Sequence, residues 1–195
     1  MNFPLLDETT APKGALEALA TTKRNFGMIP NVEKVMASAP QLLSGYVHMW
    51  DLFETTTFTP IERQVVYMTA NFENECNYCI PWHSILAKKA GMEPSEVEAL
   101  RSGAPLADPK LEALRGFTRT LIANRGKASV ADLQVFFDAG YSDVHALEVI
   151  LGLAIKLISN YTNSIAGTPL DPEAEHLRWE KPVIRERRIT RITEI

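Results

Sequence analysis

Cysteine is scarce in this chain: there are two among 195 residues, Cys76 and Cys79, three positions apart. So small a supply excludes a disulfide-stapled secreted scaffold. Long hydrophobic runs are missing as well. The most apolar stretch, Ala146 to Ile158, contains Glu148 and Lys156 and falls short of the roughly 20 apolar residues that span a bilayer. The opening run MNFPLLDETTAPKG lacks a basic start followed by an apolar core, so no signal peptide is expected. Basic residues are in deficit, 20 against 24 acidic, and the net charge of −4 disfavours nucleic-acid binding through a global positive field. What remains, 46% apolar and 23% charged residues, is the balance of a folded globular protein of one domain. A reducing, cytoplasmic setting is the expectation.

Strand signals are also rare. Only Val183–Ile195 hints at period-two alternation. Pro30, Pro40, Pro60, Pro94 and Pro109 each stand where a first helical position would fall, followed by apolar residues at helical spacing. Gly27, Gly91 and Gly140 are placed as left-handed helix stops. This punctuation predicts helices over Ala15–Phe26, Asn31–Ser38, Gln41–Phe53, Ile61–Phe72, Cys76–Ala90, Pro94–Arg101, Pro109–Asn124, Val130–Ala139 and Val144–Ile165. Thr59, Ser95, Ser129 and Ser142 are the candidate N-caps, with Ser95–Glu98 and Ser129–Asp132 as capping-box pairs. The expected fold is an all-α bundle over residues 1–177. Residues 178–195, with a net charge of +3, form a basic arm expected to pack on its own domain or on a neighbouring subunit.

The chemistry concentrates in Asn74-Glu75-Cys76-Asn77-Tyr78-Cys79-Ile80-Pro81-Trp82-His83-Ser84. On a helix Cys76, Cys79 and His83 share one face, and the i, i+4 pair Cys79–His83 brings an imidazole within reach of a thiol, directly or through one water. The polar run Glu73-Asn74-Glu75 interrupts the preceding helix. The cysteines then fall in the first turn of a new one, where free N–H groups and the positive dipole end favour a thiolate. Pro81 suits that first turn. A dithiol redox site follows: a thiolate attacks, His83 serves as base, and the second cysteine condenses with the sulfenic acid to close a disulfide. Cys79 is assigned as the attacking thiol because it is nearer His83, and Cys76 as the resolving one; the reverse assignment stays open. Inert buried cysteines, a zinc site and a static disulfide are the competing readings. The zinc site would need a fourth ligand, and His48, His145 and His176 are scattered singly. Tyr78 and Trp82 read as core aromatics. Tyr46 and His48 are candidates for lining the same pocket, and Asn160–Tyr161 reads as a structural cap or subunit contact.

These residues also resemble a known family. Thr59-Pro60-Ile61-Glu62-Arg63-Gln64-Val65-Val66, the Cys76–Cys79 motif and His83-Ser84 look like the core of the alkylhydroperoxidase D and carboxymuconolactone decarboxylase superfamily. Phe26–Asn31, Ala39–Leu43, Asn160–Asn163 and Thr168–Asp171 extend the likeness toward its peroxidase-related members. The resemblance implies an all-helical fold, thiol-dependent reduction of a hydroperoxide substrate, an external dithiol reductant, no cofactor, and assembly into dimers, trimers or hexamers. It also implies a glutamate twelve residues before the first cysteine, in a proton relay with the histidine. That position is Gln64 here, which cannot accept a proton at neutral pH but can orient His83 or a water. Glu62 is expected on another side of its helix, and Glu73 and Glu75 facing solvent. The alternatives are a scaffold or binding protein whose relay has decayed, and a lactone decarboxylase; the decarboxylase branch lacks the paired cysteines. Self-association is further expected from the apolar faces Leu42–Phe53 and Leu147–Ile158.

Overall fold

The computed structural model describes residues 3–182. Its helices are α1 (Leu16–Phe26), α2 (Asn31–Met36), α3 (Pro40–Glu54), α4 (Pro60–Glu73), α5 (Cys79–Lys89), α6 (Pro94–Ser102), α7 (Pro109–Ala123), α8 (Val130–Asp138) and α9 (Asp143–Ala166), with 3₁₀ turns at Lys13–Ala15 and Pro172–Leu177. No strand occurs among the described residues, and the fold is all-α.

Start signals act largely as chemistry demands. Thr59 accepts the Glu62 N–H while the Glu62 carboxylate takes the Thr59 N–H, and Ser129 and Asp132 repeat the arrangement. Two expectations need correction. Pro30 is itself the extended cap before α2 rather than its first helical residue. Ser95 lies inside α6, which begins one residue earlier because Pro94 occupies the first position, so the Ser95–Glu98 pattern does not form a cap. Asp108, unremarked in the sequence, caps α7 by accepting two backbone N–H groups.

Helix α4 lies at the centre, buried continuously from Glu62 to Phe72 and packed by α5, α7 and α9. Helix α9 crosses α3 and α4, and Gly152 permits the close approach: a Cβ there would lie 2.8 Å from Phe53 and from Val66. By length and composition α9 could also cross a membrane. In this fold its inner side packs on α2, α3 and α4, while Val144, Leu147, Ile150, Leu157, Tyr161 and Ile165 are exposed on its outer side. The expected α3 face does turn inward through Leu43, Tyr46, Val47 and Phe53, though Leu42 is exposed.

After the Pro172–Leu177 turn the chain folds back. Trp179 is buried, donates to the Arg101 carbonyl at 2.7 Å and packs on Phe72, and Lys181 reaches Glu75. The rest of the basic arm, with its suggested alternation over Val183–Ile195, lies outside the described residues.

Candidate active site

The polar run after α4 ends that helix sharply. Glu75 takes a left-handed conformation, φ 55°, and Cys76 N–H returns to the Asn71 carbonyl at 2.9 Å, closing a C-terminal cap. The chain is thereby turned so that Cys76 opens the next element. α5 begins at Cys79 rather than at Cys76, as the sequence had suggested. Cys76 still belongs to its first turn, because its carbonyl accepts the Cys79 and Ile80 N–H groups. Its Sγ accepts the Cys79 N–H at 3.2 Å, the position a capping hydroxyl would occupy. Cys76 and Cys79 are paired as a disulfide, their Cα atoms 5.3 Å apart.

Both cysteines are nearly sealed from solvent, yet their sulfurs are surrounded by donors rather than hydrocarbon. Asn160 and Asn163, one turn apart on α9, donate side-chain N–H groups to Cys79 Sγ at 3.1 and 3.3 Å. Asn163 also approaches Cys76 Sγ at 3.8 Å. Asn160 is fixed in turn by Asn71 and Asn74, each 2.9 Å away. Donors aimed at sulfur favour its charged form, as does the start of α5. Asn160 is therefore no cap or subunit contact: α9 runs through it without a break, and it is buried against the dithiol. Tyr161, its neighbour, is exposed.

His83 is also buried, one turn beyond Cys79. Its ring nitrogens are both taken. Nδ1 lies 2.9 Å from Gln64 Oε1, and Nε2 lies 2.9 Å from Lys156 Nζ. An amide oxygen only accepts, so Nδ1 carries the proton and donates it to Gln64, and Nε2 accepts from Lys156. Of the reach to Cys79 expected of His83, directly or through one water, no direct bond is present, because Gln64 and Lys156 hold the two ring nitrogens. Burial, with Lys156 adding its charge, holds the imidazole well below its ordinary range and keeps it neutral. Tyr67 and Trp50 stack on one another at 5.0 Å and wall the ring in, at 5.0 and 5.9 Å from it.

Cys79, His83 and Lys156 line a narrow pocket of about 40 Å³, enough for a few water-sized groups. Tyr46, Trp50, Tyr78 and Trp82 form much of its wall. His48, proposed beside Tyr46, is instead exposed on the outer side of α3. Tyr78 and Trp82 serve both structure and pocket. The Tyr78 hydroxyl and the Trp82 indole N–H donate to Asp171, which also takes the Asn31 N–H and so ties α2, α5 and the last turn together. Glu33 of α2 faces the pocket with one oxygen lacking a partner among the described residues. Burial pushes its carboxyl up to about 8, helped by the charge of Asp171. Cys76 opens on a different, polar cleft bordered by Glu73, Asn74, Glu75 and Asn77.

Residues 40–120 match the model of the Carboxymuconolactone decarboxylase family. Among solved structures, a peroxidase-related protein of alkylhydroperoxidase AhpD core type from Ralstonia eutropha JMP134 is similar at 18% identity and TM-score 0.78, over 88% of this chain and 93% of that one. The family match spans residues 40–120, and the solved structure shares this chain's all-α fold. A second structure of this fold, a peroxidase-related protein from Silicibacter sp. TM1040, is similar at 19% identity and TM-score 0.74, over 89% and 92% of the two chains. The debrominase Bmp8, in a cysteine-to-alanine variant complexed with 2,3,4-tribromopyrrole, follows at 16% and 0.70, over 90% and 95%. No curated protein matches the sequence.

None of the carboxylates weighed from sequence bonds to His83. Glu62 caps its helix and pairs with Lys110 at 2.9 Å, Glu73 pairs with Arg119, and Glu75 pairs with Lys181. Gln64 holds His83 instead. No cluster of three or more metal-ligating side chains occurs among the described residues, and His145 is used to cap α9. Lys156, Asn160, Asn163 and Glu33 were missed as site residues. The signal for the first three was present: positions 156, 160 and 163 stand at i, i+4 and i+7, polar side chains on one stripe of an apolar helix.

Proposed function

We propose that this protein is a thiol-dependent oxidoreductase that reduces small hydroperoxides through the Cys76–Cys79 pair. The observation that carries the reading is the setting of Cys79 Sγ: it sits at the opening turn of α5, under two carboxamide donors, on the edge of a narrow pocket. Such a sulfur is poised to ionise and attack a peroxide oxygen. Cys79 lines that pocket and Cys76 the opposite cleft, which supports Cys79 as the attacking thiol and Cys76 as the resolving one. The polar cleft gives an external dithiol access to Cys76 for reduction of the disulfide by thiol exchange. Gln64 acts by orientation, fixing the proton of His83 on Nδ1. The chemistry calls for no metal or organic cofactor, and it suits a reducing cytoplasm.

Consumption of hydroperoxide in the presence of a dithiol tests the reading. Wild-type protein turns over, Cys79→Ser abolishes turnover, and Cys76→Ser leaves a trappable sulfenic acid at position 79. Full turnover by Cys79→Ser would overturn the assignment. Gln64 favours one second reading, a binding or scaffold protein on the same fold, which would show two thiols of ordinary reactivity across pH.

The outer face of α9 supports self-association. Leu147, Ile150, Leu157 and Ile165 are each more than half exposed, an apolar stripe that a second copy would cover.

A further inference from the structure

Two buried groups that face the pocket can hold a proton near neutrality, Glu33 and Lys156. Gln64 has no proton to give, His83 is committed in its neutral form to two hydrogen bonds, and Glu62, Glu73 and Glu75 are engaged elsewhere. Attack of a thiolate on a hydroperoxide nevertheless expels an alkoxide or hydroxide, which leaves readily only if it takes up a proton as the O–O bond breaks.

Of the two, Lys156 is the one bonded to His83, one turn beyond Cys79. Its side chain is buried, lines the same pocket as Cys79, lies 2.9 Å from His83 Nε2 and forms no salt bridge among the described residues. Glu33 faces it from α2, Tyr46 from α3, the Tyr67 ring from α4 at 5.5 Å, and His83 from α5. Burial brings its ammonium down to about 7, so the proton is exchangeable near neutrality. The hydrogen bond from Lys156 to Nε2 explains why the ring is held in one tautomer: His83 anchors the ammonium at the pocket wall.

We propose that Lys156 is the general acid of the site, delivering its proton to the oxygen expelled from the hydroperoxide; the proposal rests on the thiol-peroxidase reading above. The Cys79 thiolate bonds to the distal oxygen and the O–O bond breaks. Sulfur is oxidised to the sulfenic acid, and the proximal oxygen takes the proton from Nζ and leaves as an alcohol. The Cys76 thiol then condenses with the sulfenic acid, forming the disulfide and releasing water. The proton that Cys79 shed on ionising restores the ammonium.

The test compares reduced wild-type protein with Lys156→Met and Lys156→Arg in three reactions. Alkylation by iodoacetamide needs a thiolate and no acid, because iodide leaves unprotonated. Ethyl hydroperoxide needs both. Peroxyacetic acid needs only the thiolate, because its leaving group is a carboxylate. Dividing each oxidation rate by the alkylation rate cancels any change in thiolate fraction. For Lys156→Met the ethyl hydroperoxide ratio is expected to fall by about 10²–10⁴-fold while the peroxyacetic acid ratio is unchanged. Lys156→Arg keeps the charge but cannot release a proton, and it falls likewise. An unchanged ethyl hydroperoxide ratio in Lys156→Met, or recovery in Lys156→Arg, overturns the role while leaving the peroxidase reading standing. Wild-type protein whose thiols alkylate but which is inert to every hydroperoxide overturns the reading and the role together. Wild-type protein alone gives an independent check should a variant not fold: its rate varies little across peroxides of rising leaving-group basicity, and a steep fall contradicts the proposal.

Discussion

Asn160 and Asn163 do at Cys79 what a charged partner does in many thiol sites, by directing N–H groups at the sulfur from 3.1 and 3.3 Å. A hydrogen bond to a charged group contributes about 1.5–3 kcal/mol, and each 1.36 kcal/mol is one pKa unit. Asn160→Ala is therefore expected to raise the midpoint of Cys79 alkylation by about one unit or more, measured as rate against pH on reduced protein; an unmoved midpoint would remove the amides from the account. Glu33 gives a second prediction at this scale. Its buried carboxyl is held up at about 8 against an ordinary 4.5, so its contribution to stability is present below 4.5 and is lost as pH rises toward the native value. Between about pH 5 and pH 7, below the window in which Lys156 titrates against the unfolded chain, Glu33→Gln should gain on wild type by up to about 2–3 kcal/mol. Chemical denaturation at the two pH values measures the difference. A constant gap would show that Glu33 ionises as an ordinary carboxylate.

Among the elements, α9 departs furthest from what its sequence advertises. Its apolar residues suggest a hydrophobic inner face, but the side toward α4 and α5 carries Lys156, Ser159, Asn160 and Asn163, and much of the apolar surface points outward. Helical periodicity shows that these polar residues share a stripe; it does not show which stripe meets the dithiol, more than 70 positions earlier in the chain. The local part of the site was legible for the opposite reason. Cys76, Cys79 and His83 lie within eight residues, Pro81 and the Glu73–Glu75 run mark the helix start, and Gln64 stands out against the superfamily pattern. What the i, i+4 spacing did not convey is that two distant side chains compete successfully for the His83 ring nitrogens. Packing of α9 is itself testable through Gly152, where any Cβ meets Phe53 and Val66 at 2.8 Å. Gly152→Val should destabilise the fold by about 1–3 kcal/mol in denaturant titration, since neither neighbour is a flexible chain end. A neutral effect would mean that the helices can separate freely.

At the scale of the whole molecule, the exposed apolar stripe on α9 and the buried dithiol lie on opposite sides of one helix. Light scattering is expected to give a mass that is a multiple of 21.7 kDa. The double substitution Ile150→Glu, Leu157→Glu should yield a monomer whose thiols still alkylate, because both side chains point away from the sulfurs. A wild-type monomer would dismiss the stripe as an interface. The central claim concerns the two sulfurs, and mass spectrometry of fully reduced protein after one equivalent of hydroperoxide addresses it most directly. The account predicts the loss of two hydrogens and a cross-linked peptide joining Cys76 to Cys79. Two thiols that remain free and fully alkylatable, with no mass change, would contradict it.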